Sequence, residues 1–425
     1  MSIQREYSDA LHISDAAQAL IAGAEQSLQQ QFAQAEAVQL HNQAKVLDAF
    51  RTCRVEARHF SGTTGYGYDD IGRDMLDRLF AAVFHTEEAL VRPQMVSGTH
   101  ALSLALYGVA RRGSHILSIT DRPYDTLLQT IGIEPCENGI ESLVESGVRF
   151  SALPLAADGR IDTDAACRTL ADDPTIDIVY LQRSRGYAWR TAVTVEEICG
   201  AIRRIRSIRK GVAVVVDNCY GEFTERDEPT DVGADLIVGS LIKNPGGGLA
   251  PTGGYIAGKA HLIDRIQYRL TAPGIGREVG SWPSGYLPFY QGLFLAPHTV
   301  GQALKGAILS AAVYQQLGYC VMPGPDDMRS DITQSIRFDS EEKLLAFCRA
   351  VQQASPVDSH VVPEPWPMPG YQNDVVMAAG TFVQGASIEL SADAPIKPPY
   401  IAYLQGGLTY EHCKLALLMQ VSRLI

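Results

Sequence analysis

The sequence predicts an α/β protein with a mostly parallel sheet covered by helices on both faces, followed by a smaller α/β domain. From Met95 onward, the strand-like runs "HILSIT", "VRFSALPL", "IDIVYLQ", "VAVVVD", "DLIVGSL" and "GGYIAG" alternate with helix-length segments over 99–110, 194–209 and 259–270. Such alternation calls for crossover helices and strands buried on both sides. A chain of 425 residues, 46% hydrophobic and 20% charged, is also long enough for two or three domains with sizeable cores.

Residues 1–60 read as an N-terminal helical arm, because Asp15 to Thr52 is rich in Ala, Gln, Glu and Leu with no Pro and one Gly. Residues 61–300 carry the alternating pattern and form the large domain. Residues 301–425 open on the long helical pattern "GQALKGAILSAAVYQQLG", continue with a helix around 341–353 and shorter strand-like pieces, and form the small domain. The stretch "VVPEPWPMPGY", 361–371, is expected to be extended or looped, since each Pro removes an amide donor and biases its predecessor away from α.

A formal charge of −12 argues against a nucleic-acid or anionic-membrane partner, and the one dense basic run, "RRIRSIRK" at 203–210, has the spacing of a solvated helix face. Eight cysteines without a C-x-x-C pair or Cys/His ligand spacing indicate neither zinc nor a disulfide framework, so a reducing cytosol is the expected home. No signal-like segment or apolar membrane span is expected. Two glycine motifs fail. "GGYIAGKA", 253–260, places Ala260 where a nucleotide phosphate loop needs a hydroxyl, and "GYGYDDIG", 65–72, lacks the preceding strand of a dinucleotide fingerprint.

A better pattern lies at two strand ends. Asp217 closes "VAVVVD" and Lys243 follows "DLIVGSL"; ligands in open α/β sheets sit beyond the carboxyl ends of the strands, so both can face one ligand. A lysine among apolar runs is expected to lose ammonium stabilisation, so that its pKa falls and it acts as a Schiff-base nucleophile. Against a pyridine ring, Asp217 would keep the ring nitrogen protonated. "VSGTHALSLAL", 96–106, opens a helix at Gly98 and Thr99 whose free amides suit a phosphate, and Ser240 adds a hydroxyl. The glycines at 246–248 are expected to let a ligand approach closely. Taken singly, Asp217 could cap a helix, Lys243 could be solvated and Tyr124 could be a loop aromatic; their order together favours a site. His59, His100 and His298 read as hydrogen-bonded structural residues, and Cys219 as a small buried thiol.

The set "SGTHAL", "DRPYDT", "DNCYGEF" and "GSLIKNPGGG" resembles the fold-type I pyridoxal-phosphate enzymes of cysteine and methionine metabolism. "TTGYGYDDIGRD", "LIKNPGGGLAPTGGYIAG", "QGLFLAPH", "GTFVQGASIELSAD" and "PPYIAYLQGGLTYEH" resemble the methionine γ-lyase-like or aluminium resistance subfamily, from about residue 45 to the C-terminus. The resemblance implies a pyridoxal 5'-phosphate cofactor, an amino-acid substrate and a homodimer or homotetramer with shared active sites. It makes Lys243 the Schiff-base lysine, Asp217 the partner of the pyridine nitrogen, Tyr124 the stacking aromatic, and Gly98, Thr99 and Ser240 phosphate ligands. Tyr66 or Tyr68, with Arg73, would reach the neighbouring subunit's phosphate, although their spacing is longer than the Tyr-x-Arg of the wider branch. That branch grips the substrate carboxylate with a C-terminal-domain arginine, whereas "GTFVQGASIELSAD" has none; Arg183 and Arg185 in "YLQRSRGY" are the expected substitutes.

The resemblance implies a cytoplasmic carbon–sulfur lyase working by β- or γ-elimination, with Lys243 moving protons and Tyr124 assisting the leaving group. An aminotransferase or aldolase on the same scaffold, and a non-catalytic stress-response protein that retains the cofactor, remain alternatives.

Overall fold

The computed structural model describes residues 5–134, 141–368 and 371–425. The N-terminal arm is helical: α1 (Arg5–Ala10), α2 (Asp15–Ser27) and α3 (Gln29–Thr52). Ser14 caps α2 by accepting from the Ala17 amide at 3.1 Å, satisfying one of the donors a helix start leaves free. The arm joins two cores. Ile13, Ala17 and Ile21 of the first part pack with the small domain, whereas Val46 and Ala49 of α3 pack with the large one.

After α4 (Ile71–Val83), the large domain contains β1 (Glu88–Arg92), α5 (Gly98–Val109), β2 (His115–Ser118), α6 (Asp125–Ile131), β3 (Arg149–Ala152) and α7 (Thr163–Asp172). It continues through β4 (Ile176–Gln182), α8 (Val195–Ile208), β5 (Ala213–Asp217), β6 (Leu236–Ser240), β7 (Gly254–Gly258) and α9 (Ala260–Leu270). The seven strands order as β1-β7-β6-β5-β4-β2-β3. Pairing is parallel from β3 through β6, and β7 alone runs against its neighbours. The expected α/β class and mostly parallel sheet are found.

Strand alternation explains both covered faces. Val214 and Val216 of β5 enter the core shared with α3, α4 and α8, while Val215 enters the opposite core with α5 and α9. Each of these fully buried side chains contributes roughly 1.5–3 kcal/mol, and an acid at Val215 would break the second core.

The helix α10 (Leu287–Gln316) begins earlier than the apolar pattern at 301 suggests and contains Pro297. Its first half buries Phe289, Leu293 and Val300 in the large-domain core, and its second half buries Ile308 and Val313 in the small-domain core. The expected boundary at 300 therefore falls inside one continuous helix. The small domain adds β8 (Cys320–Met322), β9 (Thr333–Arg337), α11 (Glu341–Gln353), β10 (Val375–Ala378), β11 (Ser391–Pro395), β12 (Ile401–Gln405) and α12 (Tyr410–Val421). Its antiparallel sheet orders as β10-β11-β12-β9-β8. No described helix is long and apolar enough to cross a membrane.

Candidate active site

Because β4, β5 and β6 lie side by side and parallel, their carboxyl ends share one edge of the sheet. Asp217 is the last residue of β5 and Ser240 the last of β6, with Lys243 three residues beyond. A cavity of about 280 Å³ opens over this edge, and Gly98, Thr99, Tyr124, Asp217, Ser240 and Lys243 all line it. The structure thus brings together residues drawn from four separate stretches of sequence.

At the start of α5, Ser97 accepts from the His100 amide at 3.0 Å, which leaves the Gly98 and Thr99 amides without intrahelical partners. A Cβ on Gly98 would touch Cys219 Sγ and Ser240 Cβ at 3.4 Å, so the glycine keeps the space before the helix open. Thr99 Oγ1 pairs with Thr126 Oγ1 at 2.7 Å, tying α5 to α6. Tyr124 immediately precedes α6; its amide donates to Gln182 Oε1 at 2.6 Å and its hydroxyl pairs with that of Tyr371.

The electrostatics correct one expectation. Burial opposes the Lys243 ammonium, but Cys219, Tyr220, Asp217 and Glu222 face it and hold its pKa above the ordinary lysine range instead of below it. Burial also pushes the Cys219 thiol and the Tyr220 phenol up, with the Lys243 ammonium opposing the rise in each. The Lys243 ammonium sits 4.1 Å from the centre of the Tyr220 ring. Burial raises Asp217 as well, with Lys243 and the Cys219 amide, 3.1 Å from Oδ1, opposing that rise.

The small domain supplies the facing wall. Tyr371, Asp393, Tyr403 and Gln405 line the cavity, joined by Tyr187 from the large domain. Asp393 and Tyr403 are direct partners across β11 and β12, and Gln405 Nε2 donates to Asp393 Oδ2 at 3.0 Å. Tyr187 packs between Tyr403 and Tyr371, with ring centroids 5.1 Å and 5.7 Å away. Sequence reasoning missed this wall, although Asp393 lies within "GTFVQGASIELSAD" and Gln405 within "PPYIAYLQGGLTYEH".

Other expected site residues lie elsewhere. Arg183 is fully buried, donating to Asn218 and Gly221 and pairing with Glu225 at 2.6 Å. Arg185 forks onto Asp331 at 2.9 and 3.2 Å and donates to the Met322 carbonyl, linking the large domain to the small one. Neither lines the Lys243 cavity; Arg185 borders a neighbouring pocket that shares Tyr124, Gly186, Tyr187 and Tyr371 with it, and ion pairs with Glu225 and Asp331 engage the two guanidinium groups.

Tyr66 and Tyr68 lie outside the cavity of their own chain, 71% and 64% exposed. Arg73, expected to reach a neighbour's phosphate, is 2% exposed; it holds their loop by donating to the Gly67 carbonyl at 2.8 Å and pairs with Asp74. The glycines at 246 and 247 serve protein packing: a Cβ would meet Leu241 O at 1.8 Å or Gly292 O at 2.4 Å. In the Pro-rich stretch, Trp366 forms an isolated bridge to Val375, and positions 369–370 lie outside the described residues. His59, His100 and His298 each engage a neighbour through Nδ1.

These residues fit pyridoxal phosphate. With the cofactor bound, Lys243 would meet the aldehyde and Asp217 the ring nitrogen, the Tyr124 side chain borders the same space, and the α5 start with Ser240 would cradle the phosphate.

The sequence model described as Methionine gamma-lyase matches residues 17–425. The chain belongs to the methionine gamma-lyase family. Within the family's lyase setting, it is similar to the uncharacterized protein YnbB of Bacillus subtilis (strain 168), 51% identical over 92% of both chains. It is also similar to a crystal structure of a carbon–sulfur lyase involved in aluminum resistance from Clostridium novyi NT, 48% identical over 100% of both chains with a TM-score of 0.96. The pyridoxal-5'-phosphate dependent protein YhfS of Escherichia coli matches 93% of this chain and 97% of its own, with a TM-score of 0.59 at 16% identity. That likeness concerns the fold, which is the fold-type I architecture of pyridoxal-phosphate enzymes.

Proposed function

We propose that the protein is a pyridoxal-phosphate-dependent carbon–sulfur lyase that cleaves a sulfur-containing amino acid by β- or γ-elimination. The observation that carries this reading is the convergence of Asp217 and Lys243, from adjacent strands, on one cavity beside the free amides of α5. When bound, the cofactor supplies an electron sink for charge developing on the substrate Cα.

The chain's own residues do the rest. Asp217 holds a proton on the ring nitrogen, while Gly98, Thr99 and Ser240 hold the phosphate. Lys243 Nζ carries the Cα proton, and Tyr124 flanks the ring and assists departure of the sulfur group. The closely packed tyrosines of the facing wall limit water access. Tyr66 or Tyr68, exposed on the loop ordered by Arg73, reaches the phosphate of a second copy in a homodimer or homotetramer. A cytoplasmic setting suits this amino-acid chemistry.

Incubation of the cofactor-loaded protein with cystathionine, cysteine and methionine tests the reaction. At least one should yield a keto acid, ammonia and a thiol or sulfide. Ketobutyrate from methionine identifies γ-elimination, and pyruvate from cystathionine identifies β-elimination. Amino transfer to an added keto acid without a sulfur product rejects the lyase in favour of an aminotransferase.

A further inference from the structure

The described cavity lining contains one cationic side chain, Lys243, and two acidic ones, Asp217 and Asp393. The cofactor reading assigns work to Lys243 and Asp217 but leaves Asp393 over. Asp393 projects from the middle of β11, where Gln405 donates to Oδ2 and the Tyr187 hydroxyl faces the carboxyl as a second neutral donor. Ser387, 5% exposed, has its hydroxyl within reach of the Tyr220 phenol. Both polar groups line the same cavity as Lys243.

An ionised carboxylate in such a place is costly unless a positive group meets it. Lys243, across the cavity, is the weakest of the influences on the Asp393 carboxyl, and the arginines that could balance it are committed elsewhere: Arg185 to Asp331 and Arg183 to Glu225. An amino acid with a neutral or anionic side-chain end would leave this charge unpaired. One whose sulfur carries a second arm ending in an ammonium would pair it, with Tyr187 and Tyr403 offering aromatic surface to the same cation.

We propose that Asp393 is the specificity-determining residue for the far end of the substrate, selecting thioether amino acids with an ammonium on the arm beyond sulfur. This rests on the lyase reading for the meaning of "substrate", but the recognition can be measured without turnover. The carboxylate and the ammonium form a charge-assisted hydrogen bond, while the sulfur and its two carbon arms span the cavity between Asp393 and Lys243.

Calorimetric titration of the cofactor-loaded protein with S-(2-aminoethyl)-L-cysteine and S-propyl-L-cysteine tests it, because the probes match in length and differ in the terminal charge. Wild type should bind the aminoethyl probe roughly ten- to a hundredfold more tightly, the range of a hydrogen bond to a charged group. Asp393→Asn, which keeps the shape and the Gln405 contact, should bring the ratio close to one, and it should tighten binding of S-carboxymethyl-L-cysteine. A wild-type ratio near one overturns the proposal, as expected if Asp393 met only the α-ammonium that every amino acid carries. An unchanged ratio in Asp393→Asn, or no binding of the aminoethyl probe, overturns it too. Keto-acid release, assayed in parallel, judges the lyase reading separately: discrimination in binding without release rejects elimination and leaves the Asp393 assignment standing.

Discussion

On the cavity floor, Asp217 and Ser240 end strands that lie side by side in a parallel sheet, and Lys243 follows at once. On the facing wall, Asp393 and Tyr403 sit in the middle of antiparallel strands and meet the cavity across a ladder. The floor is positioned by backbone that is buried on both faces, so each functional group stands where an apolar run stops. The wall is positioned by which side of a two-faced strand turns inward. On the function and specificity proposed above, the difference separates tasks: the floor would hold what any pyridoxal-phosphate reaction needs, and the wall would face the part of the substrate that varies.

The sharpest test of the floor is Lys243→Ala, expected to lower elimination by roughly 10²–10⁴-fold through loss of proton transfer. Borohydride reduction of wild type followed by peptide mapping should place a pyridoxyl group on Lys243, and an adduct on another lysine would remove the floor from the chemistry.

A second test addresses the joint between floor and wall. Arg185→Ala leaves Asp331, which is 1% exposed, without its buried partner and should cost about 3–5 kcal/mol of unfolding free energy in urea. If Arg185 gripped the substrate instead, KM would rise while the urea midpoint stayed in place.

Subunit sharing is the third test. Lys243→Ala chains mixed and refolded with Tyr66→Ala/Tyr68→Ala chains should recover activity severalfold above either parent, because one site of the hybrid keeps both contributions. Mixtures that never exceed the parents would confine the site to one chain.

The smallest expected effect concerns the wall's charge. Burial lifts the Asp393 carboxyl from 3.8 to about 6, with the Gln405 hydrogen bond opposing. Between those pH values the folded protein keeps a proton that the unfolded chain has released, so stability falls as pH rises through the window. Asp393→Asn should remove that fall and exceed wild type by on the order of 2 kcal/mol above pH 6. Urea titrations at pH 4 and pH 7 that shift equally in both proteins would contradict it.

Much of the floor was legible before folding. The runs ending at Asp217 and Ser240 are continuous β-branched and apolar stretches, the signature of strands covered on both faces, and a polar residue terminating such a run is conspicuous. "VSGTHALSLAL" marked its helix start because Ser97 is a capping residue followed by an apolar run. The strand β1, by contrast, is a five-residue piece, "EALVR", too short for its pattern to stand out, and the antiparallel direction of β7 depends on the short loop that returns from Lys243.

Composition and local pattern determined the α/β class, the strand ends and the candidacy of Lys243 and Asp217, because these depend on where hydrophobic periodicity begins and stops. The tertiary structure alone decided the remainder. It tied Arg183 and Arg185 to Glu225 and Asp331, at sequence separations of 42 and 146, and raised the Lys243 pKa through facing groups that apolar neighbours in sequence could not reveal. It also turned Asp393 toward a lysine 150 positions earlier in the chain, a meeting that only the docking of the small domain on the large sheet brings about.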